Sequence, residues 1–149
     1  MPLVTAGQRP VFVDATQAFA TVTSPDFNPR ETICLPPEAR ASLSSTSATP
    51  ARIDMRAFQA HRIEFEVNAE ASTVAVIAQA WYPAWLARVD GQPVPLWRAN
   101  HAFQALPVPA GRHQVQLVYR DRKFLAGAVV SGITLAICLA GLRVSRRRA

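Results

Sequence analysis

Residues 62–80 read RIEFEVNAEASTVAVIAQA, and this stretch decides the fold. Its first half alternates, with Ile63, Phe65 and Val67 on one face and Arg62, Glu64 and Glu66 on the other. Successive side chains of an extended chain point to opposite faces, so a period of two marks a half-buried strand. The second half, STVAVIAQA (72–80), is apolar almost throughout and reads as a central strand. Working outward, residues 52–58 begin with the same alternation: Ile53, Met55 and Ala57 against Arg52, Asp54 and Arg56. Segments 86–89 and 92–96 flank Asp90-Gly91, a dipeptide that accepts positive φ and favours a tight hairpin. Segments 102–108 and 113–119 flank Pro109-Ala110-Gly111-Arg112, a second turn signal. Short strands with regular turns predict a mainly β fold, an antiparallel, jelly-roll-like β-sandwich over residues 52–120. Twelve prolines and many β-branched residues argue against a helical bundle.

Upstream the pattern changes. PVFV (10–13) reads as a strand, and Asp14 caps a short helix over 15–22 with Ala18, Phe19 and Val22 apolar. Phe27-Asn28-Pro29 breaks the chain, because a residue before proline is pushed toward extended geometry. ETICL (31–35) reads as a further strand. Residues 1–36 are thus a small N-terminal αβ piece, and the Ser/Thr/Pro/Ala-rich stretch 37–51 is a linker.

Downstream, residues 124–142 read FLAGAVVSGITLAICLAGL, nineteen positions without a charged side chain. As a helix the run spans roughly 29 Å, close to the ~30 Å hydrocarbon thickness of a bilayer. The expectation is one C-terminal transmembrane helix, with the lipid bilayer as partner, followed by a basic tail, 143–149. Ala128, Gly132, Ala136 and Ala140 recur every fourth residue, a stripe on which a partner helix could approach closely.

The net charge of +6 invites a nucleic-acid reading, but its placement excludes one. Residues 1–119 carry nine Arg and nine acidic groups, so the excess sits at the flanks of the apolar run. On one side stand Arg120, Arg122 and Lys123 against Asp121, and on the other Arg143, Arg146, Arg147 and Arg148. Nucleic-acid binding requires a basic globular surface, whereas these arginines suit headgroup contact and topology signals. The tail, the more basic flank, is expected in the cytoplasm and the β module outside. The N-terminus has no apolar run of signal-peptide length. The two expectations agree if the chain is the C-terminal piece of a larger polytopic protein whose earlier helices carried the module across.

Catalytic and metal signals are weak. His61, His101 and His113 fit no ligand spacing, and Cys34 and Cys138 do not form a disulfide framework. Glu64 and Glu66 share a strand face that reads as solvated. No catalytic, cofactor-binding or metal residue is assigned, and no cofactor is expected. The aromatics Trp81, Tyr82, Trp85 and Trp97, with Asp90 and Asn100 nearby, are the candidate contacts to a glycan or lipid headgroup, since sugar rings stack on aromatic faces. The competing reading places these aromatics in the core or at the headgroup level.

The same aromatics begin a recognisable pattern. WYPAWLARVDG (81–91) and ANHAFQALPVPAGRHQVQLVYR (99–120), then an apolar run, resemble the C-terminal region of the YfhO-type family of bacterial membrane proteins. The resemblance rests on Tyr82, Pro83 and Trp85; Val89, Asp90 and Gly91; Ala99, Asn100, Ala102 and Phe103; Val108, Pro109, Ala110, Gly111 and His113; and Tyr119. DATQAFATVTSPDFNPRETICL (14–35) is similar to the family's stretch just upstream. Ala84 stands where glycine is usual. The resemblance implies a large polytopic protein similar to glycosyltransferases that use lipid-linked sugars, with its catalytic acids in loops near the first membrane helices. None of those acids matches a residue here. The implied role is an extracytoplasmic accessory domain, non-catalytic by itself, whose partners are the other transmembrane helices and a glycan or lipid-linked sugar. The alternative is a free-standing, single-pass, membrane-anchored structural or interaction protein.

Overall fold

The computed structural model describes residues 2–44 and 46–148, with side chains for all of these except 122 and 139–148. The chain divides into two compact units, Met1–Tyr119 and Arg120–Ala149.

The first unit is built in three layers. An outer antiparallel sheet has the order β4 (Ala51–Gln59), β5 (Arg62–Ala69), β11 (Gly111–Tyr119), β7 (Trp85–Val89), β8 (Gln92–Val94). A middle antiparallel sheet has the order β1 (Val4–Ala6), β6 (Thr73–Ile77), β10 (Phe103–Val108), β9 (Trp97–Ala99). The third layer is a parallel pair, β2 (Arg9–Phe12) and β3 (Thr32–Leu35), joined by helix α1 (Ala15–Val22). The connections β5–β6, β6–β7, β8–β9 and β10–β11 all cross between the first two sheets, which makes them a sandwich.

Alternation sets the first core. Ile63, Phe65 and Val67 of β5, Trp85, Ala87 and Val89 of β7, and Val115 and Leu117 of β11 face Ala75 and Ile77 of β6 and Leu106 and Val108 of β10. Each large side chain buried there stabilises by about 1.5–3 kcal/mol. Alternate residues of β6 and β10 face the other way. Val74, Val76 and Ala105, with Trp97 and Ala99 of β9, pack against Ile33, Leu35 and Ala39 in a second core. All five residues of β6 are therefore buried, which is why its sequence is apolar without alternation.

The N-terminal piece is tied in at several points. Asp14 caps α1 by accepting from the Gln17 amide at 2.8 Å, and the Gln17 side chain returns to the Asp14 amide. Phe19, apolar in sequence, is 54% exposed and meets the ring of His101 at 5.0 Å instead of entering a core. The stretch after β3 opens with a 3₁₀ turn, Pro37–Ser42, whose Ala39 is buried. At its far end the Thr49 amide donates to the Gly7 carbonyl at 3.0 Å. Gly7 has φ +94°, and a Cβ there would lie 2.2 Å from the Thr49 carbonyl oxygen, so only glycine fits.

The second unit holds helix α2 (Arg122–Arg148), where Asp121 Oδ1 accepts from the amides of Lys123 at 2.9 Å and Phe124 at 3.0 Å. The expected transmembrane helix over 124–142 is not supported. No helix among the described residues is long and apolar enough to cross a membrane. Helix α2 as a whole is basic at both ends, and its described apolar side chains run from Phe124 to Cys138. The side chains of 139–142, with Ala140 of the small-residue stripe, lie outside the described residues, as do those of the basic tail. The single-pass topology inferred from that helix falls with it.

Candidate functional site

Three hydrogen bonds hold the backbone of the segment 80–85. The buried Gln104 amide donates to the Ala80 carbonyl at 2.9 Å, and the Trp81 amide donates to the Ala102 carbonyl at 2.8 Å. The Trp85 amide then donates to the Tyr82 carbonyl at 3.1 Å, closing a turn with Pro83 and Ala84 at its centre. Proline presets φ for the first central position. Ala84 is not among the positive-φ residues, so this turn has no need of the glycine usual there.

This turn places three aromatics around a groove of about 390 Å³ between the turn and strands β7 and β8. Trp81, Tyr82 and Trp85 line it, with Leu86, Arg88 and Leu96. The Trp81 indole N–H donates to the Leu96 carbonyl at 3.4 Å, and the Arg98 guanidinium lies 4.8 Å from its ring centroid. Tyr82 is 53% exposed and stacks on Tyr119 at 6.1 Å, while Tyr119 meets Trp85 edge-on at 5.5 Å. Trp85 is 5% exposed, so it forms the floor and Tyr82 the rim. Flat, partly exposed rings beside hydrogen-bonding groups can take the apolar face of a pyranose.

The other three sequence candidates lie elsewhere. Trp97 is buried in the second core. Asn100, at φ +46°, bridges the middle sheet to the third layer: its Oδ1 accepts from the Cys34 amide at 2.8 Å, and its own amide donates to the Cys34 carbonyl at 2.9 Å. Asp90 joins two turns. Asp90 and Gly91 have φ +50° and +80°, both in the left-handed region that a two-residue hairpin favours. Asp90 Oδ1 accepts from the Gln114 amide at 2.8 Å, and Oδ2 lies 2.6 Å from His113 Nδ1. His113 Nε2 lies 3.0 Å from the Ala110 carbonyl oxygen. Both ring nitrogens therefore face acceptors, which suits the doubly protonated imidazolium. The Asp90 hydrogen bond, then the Ala110 carbonyl, raises the His113 pKa. The His113 hydrogen bond, then the Gln114 amide, lowers that of Asp90. This clasp fixes the β7–β8 hairpin to the start of β11.

The outer face of the five-stranded sheet carries a ladder of charges. Glu64 is held by Gln116 and Arg62, each at 2.6 Å, and both contacts lower its pKa. Arg112 grips both oxygens of Glu66, and Arg56 stands between Glu66 at 3.7 Å and Asp54 at 3.1 Å. These carboxylates are matched by cations and shaped as a surface network. Among the described residues no group of three His, Cys, Asp or Glu could hold a metal ion.

A β-sandwich with an aromatic groove on one edge and a separate C-terminal helical unit is the class defined by this geometry. The family described as "Bacterial membrane protein YfhO" matches residues 41–131, more than half of the chain. The chain therefore belongs to the YfhO family of bacterial membrane proteins, as its motifs at 81–91 and 99–120 indicate. The upstream stretch 14–35 lies outside the matched region. No curated protein and no solved structure matches the chain. Sequence reading missed the Asp90–His113 pairing and the two arginines beside the groove. The spacing from the DG turn to the histidine after the PAG turn carried the first signal.

Proposed function

We propose that this chain is a non-catalytic accessory domain of a YfhO-family membrane protein engaged in glycosyl transfer to cell-envelope polymers. It works on the outer side of the cytoplasmic membrane and holds a glycan in the groove of Trp81, Tyr82 and Trp85. The groove is the observation that carries this reading. It lies wholly within the family-matched region and combines a rigid aromatic floor with an exposed aromatic rim. The transfer chemistry is assigned to another part of the full protein: Glu64 and Glu66, the paired carboxylates of β5, are engaged by Arg62, Arg56 and Arg112, and Asp90 by His113. Ala128, Gly132 and Ala136 of α2 offer a stripe to a helix of the same membrane protein.

The test is retention of the full chain on a panel of immobilised envelope glycans, compared with Trp81→Ala and Tyr82→Ala. The expected outcome is retention that both substitutions weaken. The reading is abandoned if no glycan retains the chain and deletion of the corresponding region from a full-length relative leaves transfer unchanged.

A further inference from the structure

Two arginines stand beside the groove, and neither is in an ion pair among the described residues. Arg56, Arg62 and Arg112, on the same sheet as Arg88, are each held by a carboxylate. Arg88 lines the groove and donates to the Gly91 carbonyl at 3.0 Å, which occupies one edge of its fork. Its cross-strand neighbours are Pro93 on β8 and Gln116 on β11, both uncharged. The next acid along that row, Glu64, is two strands away, roughly 10 Å, and is engaged by Gln116 and Arg62. Arg98, exposed on β9, rests on the Trp81 ring. Stacking fixes the plane of a guanidinium while leaving its in-plane N–H donors open, and a carboxylate or phosphate meets such a fork edge-on. None of the residues lining the groove is acidic.

We propose that the groove is selective for an acidic sugar: the aromatics take the ring, and Arg88 and Arg98 take its anion. This rests on the glycan reading above. A uronate of a polymer and a sugar phosphate present the same chemistry, a pyranose carrying an anion beside its apolar face.

Titration calorimetry on the full chain, in a detergent without sugar headgroups, tests it with two matched pairs. One pair is trigalacturonate and its methyl ester; the other is maltotriose phosphate and maltotriose. The acidic member of at least one pair is expected to bind about tenfold tighter at low salt, with the preference shrinking at high salt. Preference in the first pair alone assigns the anion to a uronate, and in the second alone to a sugar phosphate. Arg88→Gln with Arg98→Gln is expected to abolish the preference, so that the two members of each pair bind alike; a preference that survives in this variant overturns the assignment. Equal binding within both pairs, weakened by Trp81→Ala, overturns the charge selectivity and leaves the glycan reading standing. Absence of binding by all four probes overturns both.

Discussion

Replacing Asn100 with alanine is expected to destabilise the first unit by about 2–4 kcal/mol, from two separable terms. Cys34 is 1% exposed, and its amide has the Asn100 side chain as acceptor. Alanine removes that acceptor and leaves a buried N–H unpaired, which costs about 1–3 kcal/mol. Alanine must also hold φ near +46°, which asparagine, with a Cβ of its own but a short polar side chain, tolerates several-fold better, for a further cost of about 1 kcal/mol. Asn100→Gly isolates the first term, because glycine adopts that φ freely. Asn100→Asp keeps both an acceptor and a residue tolerant of the left-handed region, so its cost is expected to stay under about 1 kcal/mol. Equilibrium urea unfolding followed by tryptophan fluorescence reads the series, and Trp97 lies in the core that this bridge supports. The expected order of stability is wild type and Asp, then Gly, then Ala. Equal losses for Asp and Ala would refute the acceptor argument. A loss below about 1 kcal/mol for Ala would refute the bridge altogether.

Gly7→Ala is expected to cost more than about 2 kcal/mol, measured by the same unfolding assay, because the new methyl group meets backbone at a positive φ. Near-native stability would mean that the Gly7–Thr49 contact yields. The clasp between the two turns predicts a pH optimum of stability. The raised His113 pKa gives stability that is complete below the ordinary histidine value of about 6.5 and is lost as pH rises through the folded value. The depressed Asp90 pKa gives stability present above the ordinary aspartate value of about 3.9 and lost as pH falls through the folded value. The thermal midpoint should therefore be highest between about pH 4 and 6.5, and His113→Phe should flatten the decline on the alkaline side. An unchanged profile in that variant would show that the ring does not carry the effect.

Period-two alternation made β5 legible, and the run of apolar residues made the doubly covered β6 legible, because both patterns follow from which faces are buried. The Asp14 cap was legible because a capping box is local. Non-local pairings left no comparable trace. The three residues of β1 have no period to read, yet they extend the middle sheet by pairing with β6. Trp97 and Tyr82 look alike as sequence, and only the packing separates a core side chain from a rim side chain. Phe19 kept the spacing of an apolar helix face but stayed outside, since the short helix buries only Ala18.

The middle sheet has no face of its own to give to water. Val74, Val76, Trp97 and Ala105 stay dry only because Ile33, Leu35 and Ala39 lie across them, and the edge of β6 is occupied by β1. All of those covering residues precede position 41, where the family match begins. A polypeptide trimmed to the matched boundary would keep the aromatic groove but present a naked hydrophobic slab and an open strand edge, the two features that most readily recruit other chains into aggregates. The limits of the folding unit are therefore wider than the limits of the recognisable sequence.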